Sequence, residues 1–247
     1  MKQVPLCFVL MSGKKTKDYA KVFKTLKKIL PIVQTRTFVV DFEAGFWKAI
    51  RKVFPEASVK GCVFHFSQAL YRHIKTIGLK TAYEANGDVH SLLRKTFALP
   101  LLPAEDIPEA FKQLKKKSAT EMTNNYFDYV EQTWMNSSIW TIESWSVYGR
   151  SIRTNNDTEE YHNKLNQRAQ KGNLPFYLLI QLLYKEANDV RLQEKLVKEK
   201  KLQCYKSKRT PDIQGRLMKL WNEYKEKTIT TRHLLDACAA IYAPVDE

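Results

Sequence analysis

The feature that most constrains the fold is an alternation of strand-like and helix-like segments in about the first eighty residues. Three short apolar or β-branched runs predict strands, at residues 4–11, 37–40 and 59–64. Three amphipathic patterns predict helices, at residues 16–30, 44–54 and 70–77. Strands that alternate with helices favour a parallel or mixed sheet covered by helices, with ligands at the carboxyl ends of the strands.

After Leu79 the strand signal stops. Residues 79–149 contain helical patterns separated by prolines, and this stretch is too long for a loop, so we expect a helical insertion with a core built from Trp134, Trp140 and Trp145. A long helix after Pro175 is predicted to bury one face, formed by Phe176, Leu179, Ile180, Leu183, Ala187, Val190 and Val197. We divide the chain into an α/β core (1–78), the insertion (79–149), core-completing helices (150–203) and a basic helical region (204–247).

The charge balance narrows the class of partner. Formal net charge is +15, which favours a polyanion such as nucleic acid, although lysine-rich solvated helix faces would give the same sum. No run approaches the ~20 apolar residues of a membrane span, and we expect no membrane partner. Pro5 interrupts the first apolar stretch and no cleavage site follows it, and the cysteines form no CxxC pair, so we expect an intracellular protein with reduced thiols.

Asp41 directly follows a predicted strand. A carboxylate at that position suits a hard divalent cation, because the sheet fixes where it points. The alternative is an N-cap for the helix that begins near Ala44, which is a common role for Asp.

Cys62 and His65 have the spacing of a metal-ligand pair. A tetrahedral zinc site needs two more ligands, and no second pair with matching spacing is present. The alternative is a buried cysteine beside a hydrogen-bonded histidine at a junction between a strand and a helix, and we favour it.

Residues 153–163 form the most unusual local pattern. Glu159 and His162 lie three residues apart on one face of a predicted helix, next to Arg153, Lys164 and Arg168. A carboxylate and an imidazole there would suit a metal ion that faces a phosphate. A capped, solvated and charged helix start is the alternative, and the local pattern does not decide between them.

In this order the three patterns resemble one family, the transposase domain of Mutator-like elements (MULE), a branch of the DDE transposases with a ribonuclease H-like core. The resemblance is carried by Val39-Val40-Asp41-Phe42-Glu43, by Gly61-Cys62-Val63-Phe64-His65-Phe66 and by Thr154 to Asn163, with Glu159 as the last acid. The opening Val4-Pro5-Leu6 and the helix start at Lys14–Tyr19 are also similar to the family, so the resemblance extends over most of the chain.

The resemblance implies metal-assisted phosphoryl transfer on DNA, with Mg²⁺ or Mn²⁺ as the cofactor. Asp41 would bridge both ions and Glu159 would hold one, whereas Glu43 and Glu160 lie off the motif. The implied supporting residues are Cys62, His65, His162, Asn155 and Asn156. The implied DNA-contacting residues are Arg153, Lys164, Arg168 and Lys171. A nuclear location follows from this partner, and a homo-oligomer is left open.

The chain departs from the family pattern at the first acid. It has no carboxylate before Asp18, and Asp18 falls within a predicted helix. We therefore expect an incomplete ribonuclease H-like mixed sheet flanked by helices, truncated at the amino terminus, and a chain that is inactive by itself. One alternative is a non-catalytic DNA-binding or chromatin protein domesticated from a transposase. Another is a helical scaffold whose charge only confers solubility.

Overall fold

A computed structural model describes residues 5, 7–30, 35–154, 156–169, 174–198 and 209–242. Its helices and strands, in chain order, are α1 (Thr16–Ile29), β1 (Thr37–Val40), α2 (Ala44–Val53), β2 (Ser58–Gly61), α3 (Val63–Thr76), α4 (Lys80–Glu84), α5 (Asp88–Ala98), a 3₁₀ turn (Leu99–Leu101), α6 (Ile107–Lys115), α7 (Glu121–Val130), a π-helical turn (Glu131–Met135), α8 (Ile142–Trp145), α9 (Asn156–Ala169), α10 (Phe176–Lys198), α11 (Arg209–Lys225) and α12 (Thr231–Ile241). The described protein is therefore α/β and mostly helical.

The chain divides into two compact units. One comprises Lys14–Thr154 and Arg209–Glu247, and we call it the sheet unit. The other comprises Met1–Gly13 and Asn155–Lys208, and we call it the helix-pair unit, because α9 and α10 are its described helices. The domain boundaries predicted from the sequence stay predictions.

The sheet consists of β1 and β2, which pair in parallel with Thr37 opposite Ser58 and Val40 opposite Gly61. The register continues at both ends, since Ser58 N–H donates to Arg36 O at 2.9 Å and Cys62 N–H donates to Val40 O at 3.0 Å. Parallel strands need a helical crossover, and α2 supplies it. Both strands therefore end at the same edge of the sheet, where Asp41 and Cys62 follow them.

One strand prediction was wrong, and another was wrong at its carboxyl-terminal end. Residues 5 and 7–11, the described part of the expected first strand at 4–11, lie outside any helix or strand. The strand expected at 59–64 ends at Gly61, and a helix begins at Val63. Val63, Phe66, Leu70 and Ile74 are all buried, so this apolar run continues as the inner face of α3. The sheet in the described residues is thus two-stranded and parallel rather than mixed.

Two hydrophobic clusters hold the sheet unit together. The smaller one lies around the sheet and combines α1, α2 and both strands, through residues such as Phe23, Val40, Trp47 and Val59. The larger one combines α3, the helices of residues 79–149, α11 and α12. The helical character expected for 79–149 is confirmed, as is the burial of Trp134 and Trp145, while Trp140 is partly buried.

The buried face predicted for α10 was wrong in several positions. Phe176 and Ile180 are 61% and 40% exposed, and Ala187 is exposed as well. Val197 lies among the residues whose side chains the structure does not describe. Among the side chains of this helix that the structure describes, the buried one is Glu186, at 1% exposure. In the described part of the chain, no helix has both the length and the apolar character that crossing a membrane requires.

Candidate functional site

Asp41 stands one residue beyond the end of β1, and its backbone is fixed from two sides. Its carbonyl oxygen accepts hydrogen bonds from the indole Nε1 of Trp47 at 2.7 Å and from the N–H of Glu43 at 2.9 Å. Trp47 is fully buried in α2, so the strand end is tied to the crossover helix. The N-cap residue of α2 is Glu43, and the alternative of Asp41 as the N-cap is therefore wrong.

The side chain of Asp41 forms an ion pair with His65. The distance from Oδ1 of Asp41 to Nδ1 of His65 is 2.8 Å, with the carboxylate 51% exposed and the imidazole 19% exposed. Burial of the ring lowers the pKa of His65, but its interactions with Asp41 and Cys62 outweigh this effect and raise the pKa to about 10. These interactions favour the imidazolium form of the ring, which orients the carboxylate.

Cys62 and His65 lie after the end of β2, at the start of α3. Cys62 is the N-cap residue, is fully buried and hydrogen-bonds His65. Of the groups of three or more metal-ligating side chains found among the described residues, none includes Cys62. This arrangement fits the favoured interpretation, in which the pair supports the Asp41 edge.

Phe42 anchors the strand end to the helices of residues 79–149. Its ring stacks on Trp47 with centroids 5.9 Å apart and meets Trp134 edge-on at 4.6 Å. Gly61 makes room for this ring, since a Cβ at residue 61 would lie 2.2 Å from an atom of Phe42. The absence of a side chain at Gly61 thus lets Phe42 cover the end of β2.

Glu43, which lies off the family motif, accepts a hydrogen bond from a side chain of α1. The hydroxyl of Tyr19 donates to Oε1 of Glu43 at 2.7 Å. Burial and the hydrogen bond to Glu43 raise the pKa of Tyr19 to about 12, so the phenol stays protonated. The hydrogen bond joins the beginning of α1 to the segment that follows Asp41.

In the helix-pair unit, α9 carries Glu159 and His162. Glu159 is partly buried and His162 is exposed. Asn156 is the first residue of α9, but its side chain is not among those described, and Asn155 and Lys171 lie outside the described residues.

Glu186 of α10 is 1% exposed, and its carboxylate contacts three residues of α9. It accepts a hydrogen bond from Tyr161 at 3.2 Å, pairs with the guanidinium of Arg168 and lies 3.6 Å from Nζ of Lys164. Arg168 also pairs with Asp189 at 2.9 Å. The two cations predicted to contact DNA from α9 therefore have carboxylate partners within their own unit.

Arg153, the third predicted DNA contact, belongs to the sheet unit. It is partly buried, its guanidinium lies 6.0 Å from the ring centroid of Trp221, and burial lowers its pKa. Its carbonyl oxygen accepts the N–H of Val63, the first residue of α3. The structure gives Arg153 a packing role, and its DNA contact stays a prediction.

Sequence reasoning missed Trp47, Tyr161 and Glu186, which hold the predicted site residues in place. The signal for Trp47 was available, because an indole on the inner face of the helix after Asp41 can reach back to the strand end. Glu186 gave no such signal, since its partners are on another helix. The fold and these contacts define an α/β protein with a braced carboxylate at the end of a parallel strand.

A family model described as the MULE transposase domain matches residues 1–69. The resemblance is confirmed over this stretch, which contains α1, both strands, Asp41, Cys62 and His65. Glu159 lies outside the matched range. Neither a curated protein nor a solved structure matches the chain.

Proposed function

We propose that this protein is a MULE transposase-derived DNA-binding domain with a ribonuclease H-like core, related to metal-dependent DNA cleavage and strand transfer. The observation that supports it most is the Asp41–His65 pair at the carboxyl edge of a parallel sheet, inside the range that matches the family. Ligands of α/β sheets bind at this edge. Nuclear location and assembly into homo-oligomers are parts of the same proposal.

The donor chemistry of the acids fits a hard divalent cation. Asp41 is half exposed, and His65 pairs with one of its two oxygens. Mg²⁺ and Mn²⁺ prefer such carboxylate oxygens. In our proposal Asp41 and Glu159 hold the ions. Cys62 and His65 fix the orientation of Asp41. The side chains that support Glu159 are His162, Asn155 and Asn156. Bound ions of this kind activate a water or 3′-hydroxyl and stabilise the leaving oxygen.

We further propose that this chain, assayed by itself, does not cleave DNA. The family pattern uses three carboxylates, and no Asp or Glu precedes Asp18 in the sequence. Asp18 lies in the first turn of α1, where it accepts the N–H of Lys15 at 3.0 Å, so it does not lie at a strand end. Each missing site component costs about 3 kcal/mol or more in transition-state stabilisation.

A non-catalytic DNA-binding or chromatin protein is the second candidate. The +15 charge favours it, because binding to phosphates does not need the metal site. A helical scaffold without a nucleic-acid partner is the remaining alternative.

Binding of the protein to duplex DNA, measured at about 50 mM salt with and without Mn²⁺, separates these candidates. We expect salt-sensitive binding and no nicking. Binding that Mn²⁺ strengthens in the wild type but not in Asp41→Asn or Glu159→Gln supports the transposase-derived metal site. Binding that neither Mn²⁺ nor the substitutions alter favours the chromatin protein, and absence of binding favours the scaffold. Nicking that Asp41→Asn abolishes would contradict the proposed inactivity.

A further inference from the structure

The outer face of α1 carries a row of lysines. Lys17, Lys21, Lys24 and Lys28 follow one another at steps of four, three and four residues, which places them on one side of the helix. All four are exposed. At a rise of about 1.5 Å per residue the row is about 16 Å long. We call these four residues the lysine row.

The lysine row has no carboxylate partners in the part of the chain that the structure describes. Other cations nearby are engaged: Nζ of Lys27 donates to Val53 O at 3.1 Å, and Arg51 donates to Ile139 O at 2.7 Å. The single acid of α1, Asp18, accepts the backbone N–H of Lys15. Four like charges thus stand on one helix face without compensation, which costs stability through repulsion.

The opposite face of α1 is already used for packing. Ala20 and Phe23 are buried against the sheet cluster, and Tyr19 meets Phe46 of α2 edge-on at 4.9 Å. A helix that binds a lipid surface needs a free apolar face to insert. That face is covered along most of its length, and Ile29 and Leu30 are exposed at its end. The charged face therefore suits a polyanion that offers phosphates only, such as nucleic acid.

The row begins beside the proposed site. Tyr19 joins the start of α1 to Glu43, two residues after Asp41, and Gly45 approaches the backbone of Lys14 so closely that a Cβ would lie 2.9 Å from its carbonyl oxygen. From there α1 runs on for the length of the row. A DNA strand has one phosphate per about 3.4 Å of helix axis, so about five phosphates span the same distance.

We propose that the lysine row binds the phosphates of duplex DNA and directs the duplex along α1 away from the Asp41 edge of the sheet. This inference rests on the proposed function, because it requires a DNA partner. It does not require metal ions or cleavage. It also assigns the phosphate contact to residues other than Arg153, Lys164, Arg168 and Lys171.

The test measures affinity for a short duplex against salt concentration. In one variant the lysine row is changed to glutamine (Lys17→Gln, Lys21→Gln, Lys24→Gln, Lys28→Gln). The control removes the same charge from exposed lysines elsewhere in the sheet unit (Lys112→Gln, Lys116→Gln, Lys117→Gln, Lys225→Gln). A third variant replaces the row by arginine.

The row variant should reduce the slope of log affinity against log salt by about 3 to 4, at about 0.9 per lost phosphate contact. Between 50 and 200 mM salt, the wild type then loses about a hundredfold more affinity than the row variant. The control should change the slope by less than about 1, and the arginine variant should keep the wild-type slope. Lysine acetylation of the wild type, followed by mass spectrometry, should show protection of the row by DNA.

Equal slopes in the row variant and the control, or a row that DNA does not protect, would overturn the inference and leave the proposed DNA binding in place. Absence of any DNA binding would overturn both. Protection of the row by phosphatidylserine vesicles and not by DNA would show a membrane surface instead. Because acetylation uses the unaltered protein, it decides the question even if a quadruple variant does not fold.

Discussion

The imidazole Nδ1 of His65 lies 2.8 Å from the carboxylate Oδ1 of Asp41, which joins the first turn of α3 to the end of β1. Asp41 directly follows β1, and His65 follows the neighbouring parallel strand β2 after Cys62, at the same edge of the sheet. Their contact therefore reports that the strand register and the start of α3 are both in place.

We expect Asp41 and His65 to be energetically coupled. Hydrogen bonds to charged groups are worth roughly 1.5–3 kcal/mol, and the half-exposed Asp41 reduces the coupling to about 1 kcal/mol. Urea unfolding of Asp41→Asn, His65→Gln and the double variant, without metal, measures it. Two effects that simply add would show that the pair does not stabilise the fold.

Gly61→Ala should destabilise the protein by about 1–3 kcal/mol, because the new methyl group would overlap the ring of Phe42. Adding Phe42→Leu to the Gly61→Ala variant should recover part of the loss. Gly215→Ala is the matched control, since a Cβ there meets nothing within 4 Å and Ala is the better helix former. Equal urea midpoints for Gly61→Ala and Gly215→Ala would contradict the close approach.

Glu186→Gln should loosen the helix pair. It removes the buried charge that pairs with Arg168 and Lys164, and since both cations are partly exposed we expect a cost of about 1–3 kcal/mol. Asp189→Asn, at a 45% exposed carboxylate, should cost less than about 1 kcal/mol. Limited proteolysis within α9 and α10 reads out this unit, and equal protection of the two variants would refute the role of Glu186.

Acid should destabilise the protein in part through His73. Its ring stacks on Tyr129 with centroids 3.8 Å apart, and burial lowers its pKa below the usual value of 6.5. A histidine with a lowered folded-state pKa keeps the fold stable above the unfolded-state pKa, and this contribution is lost as pH falls below it. The drop in Tm from pH 7 to pH 5 should be smaller in His73→Phe than in the wild type. The same drop in both proteins would show that His73 does not contribute.

The sequence predicted β1 and the amphipathic helices well because their patterns are local. Thr37-Phe38-Val39-Val40 is β-branched and aromatic, and α1 and α2 keep apolar residues at helical spacing. The run at 59–64 was ambiguous, since a short apolar run fits both a strand and a buried helix. Tertiary packing settled it: Val63 and Phe66 pack inward from α3.

The site was predictable as a list of residues and less so as a set of contacts. Motif order selected Asp41, Cys62 and His65, and the structure places these three together. It could not reveal that Lys164 and Arg168 pair with Glu186, because that contact depends on how α9 packs against α10. Nor did it single out the lysine row, whose meaning depends on the opposite face of α1 being covered.

The central claim is that Asp41 holds a divalent ion at the carboxyl edge of the sheet, and iron-directed backbone cleavage tests it most directly. Fe²⁺ that occupies a Mg²⁺ site, with ascorbate and peroxide, cuts the chain near its ligands. We predict a cut next to residue 41 that excess Mg²⁺ suppresses and that Asp41→Asn abolishes. No cut there, or a cut that persists in Asp41→Asn, would contradict the metal site.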